Sequence, residues 1–293
     1  MPVPQQQAEI TAPAPIPGPP RRGRERSGGE APRWVVIAIQ LGLLVLLLGT
    51  WQLLADTKTI DTFFFGSPSG TWDQLISWIE HGTSAGPLQD QIWITLQEAL
   101  IGFVIGVALG VFCGILLARN PLLARVFKVY IGVMNSVPRI VLGSVFVIWF
   151  GLGIESKIAL VVVLVFFSVF FNAFQGAREV DRGLESNARI LGASRTEIML
   201  HVVLPSTFTW IIASLRIAFG LAITGAVVGE LIGATQGLGL LIQQAQGTFN
   251  PDGVYAGLIV TTVVALVAEV LITLLERRVL RWRPPRRSLG SEP

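Results

Sequence analysis

The sequence predicts an all-α polytopic membrane protein with six spanning helices and both termini cytoplasmic. Three observations carry that prediction. Of 293 residues, 52% are hydrophobic and only 14% are charged, whereas a soluble domain has about a quarter of its residues charged. The apolar residues fall in runs of about 20, the length at which a helix crosses hydrocarbon. Lys and Arg, in turn, fall almost wholly on one side of those runs. A soluble chain of this length would form about two domains, but at a mean hydropathy of +0.63 the polarity is too low to cover two solvated surfaces. A soluble enzyme, a disordered protein and a secreted disulfide scaffold are all excluded.

Cysteine and histidine narrow the choice further. Cys113 is the single cysteine, so no intrachain disulfide forms. His81 and His201 lie in different polar segments without ligand-like spacing, so no metal site is expected.

Residues 1–33 hold eight of the 17 prolines and five arginines. Such a tail buries too little apolar area to offset its ordering entropy and is expected to be a disordered cytoplasmic tail. Arginines ahead of an apolar stretch also suit a signal peptide. The run 34–54 exceeds a usual h-region and no A-x-A-like site follows it, which favours an uncleaved, peripheral first transmembrane helix. Five further segments are expected to span: 92–118, 129–150, 158–177, 208–232 and 254–275. Pro138 and Arg139 interrupt the third, whose spanning part is expected to start near Pro138.

Eighteen Lys and Arg lie in the N-terminal tail, the 119–128 loop, the 178–207 loop and the C-terminal tail, against Lys58 and Lys157 in the opposite loops. That bias places both termini in the cytoplasm. It also accounts for the net charge of +3, so nucleic acid is not an expected partner. Basic juxtamembrane segments favour contact with anionic membrane lipid instead.

Glycines recur every four residues in the second span, at Gly102, Gly106, Gly110 and Gly114, and again at Gly225, Gly229 and Gly233. Such faces let another helix approach closely. Both static packing and a sliding contact remain open. The stretch from Arg178 to Pro205 is too polar to span. Leu184, Ala188 and Leu191 form a short apolar stripe, and Gly192 reads as a left-handed stop. Ser194 and Glu197 form a capping box that opens a second helix, and Pro205 resets the backbone before the next span. The reading is a helix–Gly–helix elbow, either lying on the bilayer or docking a cytoplasmic partner.

Here the chain resembles a family. "SNARILGASRTEIMLHVVLP" is similar to the EAA loop of ABC-importer permeases, with Ala188, Gly192, Val202, Leu204 and Pro205 at matching positions. Ser186 and Asn187 stand where the family has Glu and the first Ala, and Glu185 lies one position early and takes no role from it. "NSVPRIVLGSVFVIWFGLG" and "GELIGATQGLGLLI" resemble the nitrate/sulfonate/taurine-type branch. The resemblance covers about residues 90–276. It implies a MetI-like five-helix permease domain over 90–276, a basic cytoplasmic tail over 277–293, and a multi-pass protein of the bacterial inner membrane. It also implies a cytoplasmic ABC ATPase dimer, an external solute-binding protein and a second permease copy, most simply as a homodimer. The implied function is import of a sulfonate, nitrate or similar anion, or of a heterocyclic vitamin precursor, by alternating access. Ala188, Leu191, Gly192, Ala193, Ser194, Glu197, Leu204 and Pro205 would form the ATPase-coupling loop, with Ala188, Leu191 and Ala193 as a small apolar knob. No cofactor and no catalytic residue are expected.

One implication has separate support. A phosphate-cradling loop needs G-x-x-x-x-G-K-[ST], and Lys58, Lys128 and Lys157, the only lysines, follow Thr, Phe and Ser. This chain cannot form that loop, so if ATP drives transport, another chain binds the nucleotide. A self-sufficient secondary transporter or channel is the rival reading; it would show paired inverted repeats, and no convincing halves are found.

Charges within spans are functional candidates. Arg216 lies about 13 Å into the fifth span and Glu230 about 21 Å further on. Arg139 is placed near the inner mouth. With Asn135, Asn172 and Gln175, these are the translocation-path candidates, each of which also has a structural reading as a snorkelling, ion-paired or interhelically bonded side chain.

Overall fold

The computed structural model describes residues 32–180 and 182–279. The bulk of the expected 1–33 and 277–293 tails lies outside them. The described chain divides at Gly49/Thr50 into two units. The first is the beginning of α1 (Arg33–Asp56), where every residue from Val36 to Gly49 is exposed, as lipid-facing side chains would be.

In the second unit α1 ends, and two helices follow in what the sequence suggested was an outer loop. Asp61 caps α2 (Thr62–Phe65), and Ser67 with Pro68 starts α3 (Pro68–Glu80). Trp78 of α3 is buried in an apolar cluster with Leu238, Leu241, Ala256 and Val260. The 90–276 boundary therefore leaves out part of the core. The charges of Asp73 and Glu80 within α3 hid this.

The frame of the bundle consists of α4 (Leu88–Arg119), a broken element, α7 (Ile154–Arg178) and a long helix ending at Ile232. The four glycines of α4 meet α7 in register. A β-carbon on Gly102 would lie 2.5 Å from Val161, on Gly106 2.8 Å from Val165, on Gly110 3.0 Å from Val169 and on Gly114 2.8 Å from Ala173. Both helices step by four residues, so the backbones approach closely from Gly102 to Gly114. Gly225 and Gly229 bring the long helix equally close to Leu164 and Lys157.

The third expected span is not one helix. Asn120 caps α5 (Pro121–Ser136), which has no buried residue. Pro138 then breaks the chain, a 3-10 turn covers Arg139–Val141, and α6 (Leu142–Phe150) follows. The two parts meet at 79°, so among the described residues five helices are long and apolar enough to cross a membrane, or six if this pair counts as one. A span starting near Pro138 would leave α6 with the preceding turn only about 18 Å long, about half a bilayer.

After α7 come α8 (Arg182–Ile190), α9 (Arg195–Ile198) and a π-helical stretch (Met199–Val203) leading into α10 (Leu204–Ile232). Pro205 does not reset the backbone as expected. It sits in the first turn of α10, where its missing N–H is tolerated, and Leu204 N–H bonds back five residues to the Met199 carbonyl. The wider π turn absorbs the proline, and the helix runs on. A short α11 (Leu238–Gly247) and α12 (Pro251–Val279) complete the fold.

Candidate functional site

The elbow is built from local chemistry. Gly192 takes φ +88°. Its N–H donates to Arg189 O and that of Ala193 to Ala188 O, both at 3.0 Å, which is the double closure of a Schellman motif. Two residues later Ser194 Oγ accepts from Glu197 N–H at 3.2 Å, while Glu197 Oε2 accepts from Ser194 N–H at 2.7 Å. One helix is closed and the next opened within four residues, so the corner is rigid.

The elbow is also fastened to the bundle. Ala188, Ala193, Met199 and Leu204 pack on a cluster containing Ile115, Ala173, Ala177, Ile198 and Val203. Arg119, the last residue of α4, donates to Glu185 of α8 from Nη1 at 2.5 Å and Nη2 at 3.2 Å. The expected knob of Ala188, Leu191 and Ala193 is thus corrected. The two alanines face inward, and the Schellman turn instead projects Ile190 and Leu191, 82% and 87% exposed. Sequence periodicity missed Ile190 because the face it occupies is set by where α8 stops.

The path candidates do not converge on one centre. Arg139 and Asn135 do meet, Arg139 Nη2 donating to Asn135 Oδ1. The guanidinium lies 4.6 Å from the Phe167 ring centre, a cation–π contact, and its Nε is buried without a hydrogen-bond partner among the described residues. Phe167 is near the middle of the 25-residue α7. Arg139 therefore sits at mid-length of the bundle and not near its mouth, because the break at Pro138 carries the chain inward. Asn172 Nδ2 donates to Ser168 O at 2.8 Å and Gln175 to the Glu179 carboxylate, both within the α7 region. Arg216 is on an exposed face of α10 with Ala213, Ile217, Gly220 and Thr224.

Glu230 belongs elsewhere. It is fully buried, accepting from Thr95 Oγ1 at 2.7 Å and Gly239 N–H at 2.6 Å. Glu98 of α4, 2% exposed, is its neighbour. Lys157, expected in an outer loop, is 1% exposed inside α7 and donates Nζ to Leu152 O at 2.6 Å and Gly153 O at 3.0 Å. The helix starts at Ile154, a position that the flanking glycines obscured. An apolar groove of about 1030 Å³ bordered by Val107, Phe112, Met199, Pro205 and Leu215 has no polar side chain in its lining to offer a charged solute.

Comparison with known proteins gives a consistent picture. Residues 106–281 match the family model described as binding-protein-dependent transport system inner membrane component. The chain is 30% identical to the taurine transport system permease protein of Escherichia coli (strain K12), over 85% of this chain and 92% of that one. It is 32% identical to the formylaminopyrimidine transport permease protein of Halalkalibacterium halodurans, over 64% and 76%. The riboflavin transport system permease protein of Chloroflexus aurantiacus is 28% identical, over 85% and 91%. Among solved structures, the MetNI methionine ABC transporter in an inward-facing conformation superposes with a TM-score of 0.57 at 22% identity, over 66% of this chain and 94% of that one.

Proposed function

Given that this chain belongs to the inner-membrane components of binding-protein-dependent transport systems, we propose that it builds one half of the translocation path of an ATP-driven importer for a small organic anion. The chain is a multi-pass plasma-membrane permease subunit of the ABC type and not a catalytic component. An ATPase and a solute-binding protein are the general partners of such a subunit. ATP hydrolysis is assigned to a separate cytoplasmic ATPase dimer, since this chain has no phosphate-cradling loop.

The observation that carries the coupling role is the elbow. Two large apolar side chains, Ile190 and Leu191, stand almost fully exposed on a corner made rigid by a Schellman turn and a capping box. A rigid apolar projection transmits a push from a partner with little loss to flexing. Ala188, Ala193 and Leu204 pack behind it on the bundle, Pro205 continues the chain into α10, and Gly192, Ser194 and Glu197 set its angle. The remaining partners follow from topology and pattern. The one-sided Lys and Arg put the elbow and both termini in the cytoplasm, and the basic segments meet anionic lipid. A second copy completes the path. The tails 1–33 and 277–293 and the helix 34–54 flank the permease domain of 90–276, with α3 added at the end away from the elbow.

The solute class rests on two supports. Relatives are named for taurine, a sulfonate, and for the heterocycles formylaminopyrimidine and riboflavin. Arg139 places a cation at half depth, where an anion would otherwise be most costly, and this favours the sulfonate-like choice. The test is uptake into proteoliposomes of the chain reconstituted with its ATPase and binding protein. Uptake that requires ATP and the binding protein supports the reading. Uptake by this chain alone, without nucleotide, overturns it in favour of a secondary transporter or channel.

A further inference from the structure

The end of the bundle opposite the elbow holds the most extensive buried polar construction among the described residues, and the coupling role makes no use of it. α11 begins at Gly237 with no capping side chain of its own. A helix start leaves several N–H groups without partners, and burying them unpaired is costly. Here three other positions supply the acceptors. Gly237 N–H donates to Gln91 Oε1 at 2.8 Å, Leu238 N–H to Thr95 Oγ1 at 3.0 Å, and Gly239 N–H to Glu230 Oε2 at 2.6 Å. Gln91 and Thr95 come from α4, 146 and 143 residues away, and Glu230 from α10. All three side chains are no more than 1% exposed.

The glycines at this start are required by the same contact. Gly237 has φ +106°, and a β-carbon there would overlap the Glu230 carboxylate. A β-carbon on Gly239 would lie 2.5 Å from Val227 O and 2.6 Å from Glu230 Cβ. The Glu230 carboxyl also faces the N-terminal, positive end of the α11 dipole. Thr95 Oγ1, which accepts from α11, donates at 2.7 Å to Glu230 Oε1, so the three elements share one hydrogen-bonded unit. Ser84, just before α4, adds an exposed bond to Gln244 further along α11.

We propose that Gln91, Thr95 and Glu230 are positioning residues for transport: together they latch α11 onto α4 and α10, so that these three helices move as one body when the path opens. The proposal rests on the permease reading above. Thr95 and Arg119 lie about 36 Å apart along the same helix, so α4 runs from this latch to the elbow fastening. Displacement of the elbow is thereby delivered to α11 without slack.

The test uses the full complex with ATPase and binding protein. Amide hydrogen exchange is followed over 237–247 together with the dependence of uptake rate on binding-protein-delivered solute. Thr95→Val and Glu230→Leu should speed exchange over α11 by roughly tenfold. They should lower the maximal uptake rate while the half-saturating solute concentration and ATPase association stay near those of the unmodified complex. Glu230→Gln keeps an acceptor for Gly239 and should restore most of both readouts, which a general packing defect would not allow. Gln91→Leu provides a variant at the edge of the unit that keeps the bond between Thr95 and Glu230. Unchanged exchange over 237–247 in Thr95→Val and Gln91→Leu, or a slow rate in Glu230→Leu with α11 fully protected, overturns the latch. Failure of the permease reading looks different, since the unmodified complex itself would then show no ATP-dependent uptake.

Discussion

Arg119, at the end of α4, holds Glu185 of α8 through two parallel hydrogen bonds, with Arg189 3.8 Å from the same carboxylate. The pair joins the first helix of the elbow to the bundle over 66 positions of sequence. Both side chains are partly shielded, 28% and 15% exposed, so the interaction exceeds that of an open surface pair but stays near 1 kcal/mol. Glu185→Ala should therefore leave expression and membrane insertion intact and uncouple hydrolysis from uptake several-fold. Exchanging the charges, Arg119→Glu with Glu185→Arg, should recover part of the coupling. A double-mutant cycle on the ratio of solute imported to ATP hydrolysed measures it, and additive effects of the two single changes would remove the pair from the coupling route.

The Gly192 corner separates two effects that a single substitution would confuse. Beyond its immediate chain neighbours nothing lies within 4 Å of where a β-carbon would stand, so the space within the chain is open and only the positive φ opposes a side chain. Gly192→Ala should cost about 1 kcal/mol, and Gly192→Asn less, because asparagine tolerates the left-handed region. Ile190→Asp and Leu191→Asp change no conformation but remove the apolar projection. We expect these two to abolish co-purification of the ATPase while thermal stability in detergent is unchanged. If both retain full ATPase association, the partner surface lies elsewhere on the elbow.

The glycine faces give a prediction of opposite signs. Gly106→Ala would place a methyl 2.8 Å from Val165 Cβ and 3.0 Å from Val162 O, and such overpacking costs about 1–3 kcal/mol. Gly220, on the exposed side of α10, has nothing within 4 Å, and Ala there gains about 1 kcal/mol of helix propensity. Thermal unfolding in detergent should thus fall for Gly106→Ala and hold or rise for Gly220→Ala. A rise for both would mean that α4 and α7 do not meet at these glycines.

Features that depend on near neighbours were legible in the sequence. The left-handed Gly192, the capping box at Ser194 and the glycine repeat of α4 each follow from residues within a turn or two of one another, and each is present. What failed depended on distant partners. Lys157 reads as a loop residue until Gly229 of α10 is seen to pack on it, and Glu230 reads as a path residue until α11 folds back on it. Arg139 was moved from the mouth to half depth by the 79° bend, and no periodicity encodes the direction in which a proline break turns. Arg119 and Glu185 were both visible as charges, yet their pairing requires knowing that α8 folds under the end of α4.

Arg139 supports the last prediction. Its guanidinium stacks on Phe167, bonds Asn135 and keeps a buried Nε without a partner among the described residues. An aromatic face offsets part of the cost of a cation at a depth where a lone ion is unfavourable. Arg139→Gln removes the charge and should cut uptake of a sulfonate by about tenfold or more, since even one lost charge-assisted hydrogen bond is worth about 1.5–3 kcal/mol. Arg139→Lys keeps the charge but not the planar stack and should fall between. Phe167→Leu should weaken uptake mildly by loosening the guanidinium. Arg216→Gln, on the exposed face of α10, gives the comparison at a second cation. The measurement is the initial rate of sulfonate uptake across a concentration series in the reconstituted complex, alongside a neutral heterocycle as control. A loss confined to the anion supports a charge-guided path. If Arg139→Gln and Arg216→Gln both transport the anion at the unmodified rate, the anion reading falls, and a neutral heterocycle becomes the solute class to pursue.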